Sequence, residues 1–423
     1  MGRLMGVVGL LVLLGIAVAL SKNRRRFPVR VVLWGLGLQL AFALMILKTA
    51  PGQVFFGWVE AAFTKIVSFS DVGARFVVGD WGVSVAATNA VTGKPHVIGF
   101  AMAFRTLPVI IFFASLMGVC YHLGLMQRLV AGLAWLMRRT MKVSGAEALS
   151  SAGNTFVGMT EAPLMIRPYV ATLTESELMA VMTGGLATIA GSVLALYVSF
   201  GIDAGHLLCA SVMSAPAALM VAKIMLPETE EAKTAGGAPV KLERTTRNVI
   251  DAAAAGASDG LHLALNVGAM LIAFVALLAM VNYGLGQLHD GVAWATRWQG
   301  LPASLQEFFG WLFRPLAFVM GVPWGEADKV GSLMGIKISA NELIAYHSLG
   351  EMIKSHALSD RAVTIATYAL CGFANFGSTA ILIGGLSAMA PERRQDLSRL
   401  ALRALAGGAI ASFITATVAG MLV

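Results

Sequence analysis

Two glutamates stand inside long apolar stretches: Glu161 within Gly158-Met159-Thr160-Glu161-Ala162-Pro163, and Glu342 within Ser339-Ala340-Asn341-Glu342. A carboxylate near the centre of a bilayer costs about 2.5–3.5 kcal/mol on insertion scales, so it is retained with a partner or a purpose. A structural reading has each glutamate capping a half-helix, or pairing with Arg167 or Arg105 to hold its segment. A ligand-binding reading rests on the half-helices themselves. Pro163 suits a first helical turn, whose exposed N–H groups and positive dipole end favour electron-rich ligand atoms. Asn375, Ser378 and Thr379 are spaced i, i+3 and i+4, which predicts one shared helix face. An amide with two hydroxyls suits hydrogen bonds to a polyhydroxylated or amide-bearing solute, and Phe373 just before them suits stacking on a flat ring. Ordinary polar glue between helices competes with that reading, most of all for Thr379. A small hard cation takes oxygen ligands, including carbonyls freed where a helix unwinds. Asn154 and Val157 flank one such break, and Thr188 and Ile189 lie by another. Arg105, Asp259, His262 and His347 sit near the ends of apolar runs, where snorkelling or structural roles suit them. Zinc spacings such as His-Glu-x-x-His and a phosphate-binding Walker loop are absent from the sequence, so ATP hydrolysis has no support.

The elements that position these residues follow from composition. Of 423 residues, 57% are hydrophobic and only 13% charged, against roughly 45–50% and about 25% in a typical soluble chain. The net charge is +8, from 31 Lys and Arg against 23 Asp and Glu. So few charges cannot coat a nucleic-acid-binding face, and they read instead as membrane-topology signals. Cys120, Cys209 and Cys371 all fall in apolar runs, so neither a disulfide framework nor a metal cluster is implied. The chain reads as an all-α polytopic membrane protein. A span needs about 20 apolar residues; stretches at 1–20, 31–47, 97–123, 178–200, 207–226, 261–283, 362–389 and 402–422 give eight. Residues 51–94 read as an interfacial helix and loop, and 126–142 as an amphipathic helix on the cytoplasmic surface.

Basic clusters at Arg24–Arg26, Arg138–Lys142, Lys233–Arg247 and Arg393–Arg394 all fall on the cytoplasmic side if the N-terminus is outside. That holds provided 146–171 and 330–354 each enter and leave on one side, as re-entrant hairpins. Both are apolar on their flanks and broken midway by polar residues, and unwound backbone at membrane depth survives only beside protein or a water-filled cavity. In each half a hairpin bearing a glutamate precedes a polar-interrupted span and then a plain one. The interruptions are Thr183-Gly184-Gly185 with Thr188-Ile189-Ala190-Gly191-Ser192, and Cys371-Gly372-Phe373-Ala374-Asn375-Phe376-Gly377-Ser378-Thr379. One hairpin opens from inside and the other from outside, so the repeat is inverted, the sequence pointer to a transporter's central site.

Gly158-Met159-Thr160-Glu161-Ala162-Pro163-Leu164, Asn341-Glu342-Leu343-Ile344-Ala345-Tyr346 and Cys371-Gly372-Phe373-Ala374-Asn375-Phe376 strongly resemble the signatures of the concentrative nucleoside transporter family. Phe104-Arg105-Thr106-Leu107-Pro108 through Phe112-Phe113 looks like that family's third span, and the eight-span length resembles its bacterial members. The resemblance implies a homotrimer in which a mobile transport domain with both hairpins moves against a scaffold as an elevator. It implies nucleoside contacts at Thr160, Glu161, Val193, Glu342, Phe373, Asn375 and Ser378, with base-side contacts from the first hairpin and ribose-side contacts from Glu342, Asn375 and Ser378. The family's sodium site maps onto Asn154, Val157, Thr188 and Ile189. Many members carry glutamine where Met159 stands, and serine is common where Gly377 stands; Met159 is counted among the substrate-facing positions.

The expectation is therefore a cation-coupled symporter importing nucleosides of a uridine-like kind, with sodium favoured over protons and no further cofactor. Residues 1–142 and 258–329 are expected to be largely scaffold, 143–226 and 330–423 the two transport repeats, and 227–257 a cytoplasmic linker. The bilayer would be a bacterial inner membrane, with both termini periplasmic. A carrier of another small polar solute is the near alternative, although no lysine lies at a hairpin tip. An intramembrane enzyme is the distant one, and it leaves the inverted repeat unexplained.

Overall fold

The computed structural model describes residues 2–79, 85–88, 95–98, 102–236, 246–297 and 300–423. Apolar residues dominate every long segment, and without water a backbone satisfies itself only as helix. The chain accordingly folds as helices α1 (Gly2–Ala19), α2 (Val29–Lys48), α3 (Ala50–Val78), α4 (Met102–His122) and α5 (Leu125–Met141) in its first third. A short antiparallel pair, β1 (Val85–Thr88) and β2 (Pro95–Ile98), lies between α3 and α4. The expected third span therefore starts at Met102 rather than at 97, because the Pro95–Ile98 segment is a strand. Helices α4 and α5 bend by 75°, as a span meeting a surface helix would.

The first repeat follows. Helix α6 (Gly145–Asn154), a turn, a 3-10 segment (Ala162–Ile166) and α7 (Arg167–Val170) form one hairpin. Helices α8 (Glu175–Ala187) and α9 (Gly191–Ser199) form one broken span, and α10 (Ala204–Met225) an unbroken one. Capping boxes start α6 and α8: Ser144 accepts from the Glu147 amide while Glu147 accepts from the Ser144 amide, and Thr174 and Glu177 repeat the pattern. The second repeat has α13 (Ala327–Ser339) and α14 (Glu342–Lys354) as its hairpin, α15 (Asp360–Leu370) and α16 (Phe376–Met389) as its broken span, and α17 (Arg394–Leu422) as its long span. Among the described residues four helices are alone long and apolar enough to cross a bilayer: Val29–Lys48, Ala204–Met225, Val249–Ala295 and Pro391–Leu422. The other expected spans are α1, α4 and the two broken pairs.

Between the repeats, α11 (Val249–Thr296) runs unbroken for 48 residues, followed by α12 (Leu305–Val319). At 1.5 Å per residue that is about 72 Å, more than twice a bilayer core. It replaces the end of the expected linker and runs past both ends of the span expected at 261–283; Asn248 caps it through the Asp251 amide at 2.8 Å and an alanine run follows. Helix α11 packs on α4 at close range: a β-carbon built on Gly256 would stand 2.5 Å from the Ala114 carbonyl oxygen. Such close approach needs small residues. Gly256-Ala257-Ser258-Asp259-Gly260 carries the letters of a hydrolase nucleophile elbow but lies inside continuous helix, without the strand-to-helix turn that motif requires. Helix α10 is almost wholly buried, whereas little of α11 is fully buried. The core is thus α8, α10, α15 and α17 with the two hairpins around them.

Candidate functional site

The two breaks and the two hairpins converge. Helix α8 ends at Ala187 and α9 begins at Gly191; α15 ends at Leu370 and α16 begins at Phe376. Gly372 in the second break has φ +127°, and a β-carbon there would stand 2.8 Å from the Ala187 carbonyl of the first. Only glycine supplies both that conformation and that approach.

At the second hairpin, Glu342 is the first residue of α14 and Asn341 is its cap, accepting from the Ile344 amide at 2.9 Å. The structural reading of Glu342 as a cap is therefore replaced: its carboxylate is free to turn inward. Glu342 is 6% exposed, and its Oε2 accepts from Asn375 Nδ2 at 2.9 Å while Oε1 accepts from Tyr197 Oη at 3.2 Å. The Tyr197 ring stacks on Tyr346 with centroids 4.3 Å apart. Val193, one turn before Tyr197 on α9, lies on the same helix face.

Asn375, Ser378 and Thr379 do not share a helix face as side chains of one helix. Asn375 is extended (φ −141°, ψ 167°) and caps α16, its Oδ1 accepting from the Ser378 amide at 2.7 Å. Thr379 donates to the Asn375 carbonyl at 2.7 Å, a bond back within its own helix rather than across to another. Asn375 thus uses its oxygen to end the break and its NH2 to hold Glu342. Phe373, 9% exposed, precedes it in the unwound segment.

At the first hairpin, Glu161 starts the 3-10 segment and makes no cap bond among the described residues, nor does an ion pair join it to Arg167. The Arg105 side chain lies outside the described residues. Thr160 and Glu161 are exposed, with Tyr121 of α4 and Asp259 of α11 within electrostatic reach of Glu161. Met159 instead is buried: a β-carbon on Gly185 would stand 3.0 Å from its Cβ, with Leu382 of α16 alongside.

The candidate cation ligands lie where α6 meets the first break. Asn154 is fully buried, and neither polar atom of its amide has a partner among the described residues. Its Nδ2 lies near Gly184, whose carbonyl accepts from Thr188 Oγ1 at 2.9 Å. That bond spends the Thr188 proton and leaves its oxygen lone pairs as acceptors. The Phe156 carbonyl accepts from the Gly191 amide at 3.2 Å, which ties the Val157 turn to the break holding Ile189. An orphaned buried amide beside hydroxyl and carbonyl oxygens fits a monovalent cation.

Two residues of the site were missed from sequence. Tyr197 sits in a plain apolar helix, and only its partner reveals it. Lys337 is fully buried in α13 and donates from Nζ to the carbonyls of Ala369 at 2.9 Å and Cys371 at 3.4 Å. A lone lysine in an apolar run was itself a signal.

Comparison with known proteins agrees with this geometry. The sequence profile described as Na+ dependent nucleoside transporter C-terminus matches residues 206–420, its N-terminus counterpart residues 8–81, and a profile described as nucleoside recognition gate residues 103–204. The chain is 43% identical to Sodium/nucleoside cotransporter 1 of Mus musculus over 99% of its own length and 64% of that protein's. It is 42% identical to Solute carrier family 28 member 3 of Mus musculus, covering 98% of this chain and 58% of that one. It therefore spans less than two thirds of these relatives. Among solved structures, CNTnw in an inward-facing substrate-bound state is 42% identical with a TM-score of 0.90, covering 100% of this chain and 98% of that one. A CNTnw variant in an outward-facing state is 41% identical with the same TM-score and coverage. With the profiles, the inverted repeat and the crossed breaks in agreement, the chain belongs to the Na+ dependent nucleoside transporters, the concentrative nucleoside transporter family.

Proposed function

We propose that the chain imports nucleosides by symport with sodium. The observation that carries this reading is the Glu342 carboxylate, buried and oriented by Tyr197 and Asn375 where hairpin and break meet. A carboxylate accepts two hydroxyl donors at once, which suits a vicinal diol such as that of ribose. Asn375 and Ser378 flank it, and Phe373 offers a ring face. Thr160, Glu161 and Met159 of the first hairpin, with Val193, take the base side. Asn154, Val157, Thr188 and Ile189 hold sodium, whose charge secures the first hairpin against the break. Solute and ion are then bound by one set of crossed elements, and each favours the geometry the other needs.

Residues 143–226 and 330–423 move as the transport domain against a scaffold of 1–142 and α11–α12, with the stretch from 227 to the start of α11 linking them. The close packing of α4 with α11, one helix from each scaffold stretch, supports grouping those two together. The assembly is a homotrimer in a bacterial inner membrane, working as an elevator, with both termini periplasmic. Purified protein in liposomes tests the reading: an inward sodium gradient should concentrate labelled uridine, and competing nucleosides should block it. Uptake driven equally by a proton gradient without sodium would overturn sodium coupling, and absence of uridine uptake would overturn the substrate class.

A further inference from the structure

The inverted repeat makes its two halves comparable point by point, and they differ in charge. Each break follows the C-terminal end of a half-helix, α8 at Ala187 and α15 at Leu370. Carbonyls there point out of the helix with a partial negative charge, and a cation is favoured at both. In the first repeat, residues 145–161 contain no basic residue, and the inward-facing group at the end of α6 is the unpartnered amide of Asn154. In the second, the end of α13 carries Lys337, whose ammonium reaches the Ala369 and Cys371 carbonyls on either side of Leu370. The Cys371 carbonyl also accepts from Ser412 Oγ at 2.6 Å. The Phe413 ring centroid lies 5.8 Å from Lys337 Nζ, and Glu342 is within its electrostatic reach. The second break is thus already held by the protein's own cation, while beside the first the Asn154 amide has no partner among the described residues.

We propose that Lys337 is a tethered counterpart of the transported sodium, a positioning residue that supplies in the second repeat the positive charge that sodium supplies in the first. It holds the 371–375 segment so that Phe373 and Asn375 face the solute, and it leaves one break for a mobile cation. This rests on the sodium-coupled reading above and goes beyond it by fixing how many cations the crossed breaks take up.

The test uses the full chain purified in detergent, with labelled uridine binding followed against sodium chloride at ionic strength held constant by choline chloride. Wild-type protein is expected to give a Hill coefficient for sodium of about one. Lys337→Ala, which opens room and removes the charge, is expected to lose uridine affinity about tenfold at low sodium, the loss of charge-assisted bonds. High sodium should restore it, with a Hill coefficient rising toward about two as a second ion enters. Lys337→Met fills the space without charge and should lose affinity that sodium does not restore, whereas Lys337→Arg should keep the wild-type slope. A wild-type coefficient near two overturns the proposal. So does a Lys337→Ala protein that sodium fails to rescue, or a Lys337→Met protein with wild-type affinity and slope. If Lys337→Ala does not fold, the wild-type and Lys337→Met curves decide. Wild-type uridine binding indifferent to sodium strikes the sodium-coupled reading itself, an outcome distinct from any that involves Lys337.

Discussion

Tyr197 of the first repeat donates its hydroxyl to Glu342 of the second at 3.2 Å, and both residues are buried. Asn375 of the second repeat holds the other carboxylate oxygen at 2.9 Å, so Glu342 is fixed from both halves. The contact joins the two repeats at one carboxylate, because one of its two orienting groups comes from the first repeat's broken span.

Glu342→Gln should cripple uridine uptake while leaving a correctly inserted protein. An amide oxygen still accepts, but its NH2 meets a ribose hydroxyl and Asn375 Nδ2 as a second donor. Tyr197→Phe removes one bond to a charged group and should weaken uridine affinity by about 1–2 kcal/mol, with the fold intact. Uptake kinetics in liposomes check both. Normal uptake by inserted Glu342→Gln protein would reject the assignment of Glu342.

Sodium dependence should respond to Thr188 through geometry rather than charge. Thr188→Val keeps the shape and removes an oxygen ligand, so the sodium needed for half-maximal uptake should rise, while Thr188→Ser should stay near wild type. The Gly184 carbonyl loses its donor in Thr188→Val, so a thermal-unfolding measurement alongside separates lost stability from lost coordination. An unchanged sodium requirement in Thr188→Val would move the cation elsewhere.

Gly372→Ala should be among the most damaging single changes. Its φ of +127° strains an L residue by about 1–3 kcal/mol, and the new methyl would meet the Ala187 carbonyl at 2.8 Å. The crossing breaks would have to separate, so both thermal stability in detergent and uridine affinity should fall. A stable Gly372→Ala protein with normal binding would mean that the crossing is not needed for the site.

What was legible in the sequence was what the bilayer makes expensive. Glu161, Glu342 and the broken spans announce themselves because charge and unwound backbone are rare in apolar runs. The full extent of α11 was hidden because Asp251-Ala252-Ala253-Ala254-Ala255 reads as linker by polarity, although alanine is the strongest helix former and Asn248 an apt cap. The face expected for Asn375, Ser378 and Thr379 failed for a local reason: an asparagine at a helix start prefers to cap it. Tyr197 was invisible because its partner lies 145 residues away, a distance no local pattern spans.

Met159 offers the sharpest test of specificity. It is 8% exposed, beside Gly185 and Leu382 at the first hairpin's tip, next to exposed Thr160 and Glu161. A thioether is a weak acceptor with no donor, whereas glutamine offers both. A site that hydrogen-bonds a base edge rejects the wrong base strongly, because a buried amide is left unpaired; an apolar contact rejects it weakly. The chain should therefore rank nucleosides less steeply by base than a relative with glutamine at this position. Met159→Gln should sharpen the ranking in competition against labelled uridine, by about 0.5–1.5 kcal/mol, the net worth of a hydrogen bond. The change should appear among base analogues and hardly among ribose analogues, since Glu342 and Asn375 are untouched. An unchanged base ranking with transport intact would show that this side chain stays turned toward Gly185 and Leu382, and the base contacts would then fall to Thr160 and Glu161.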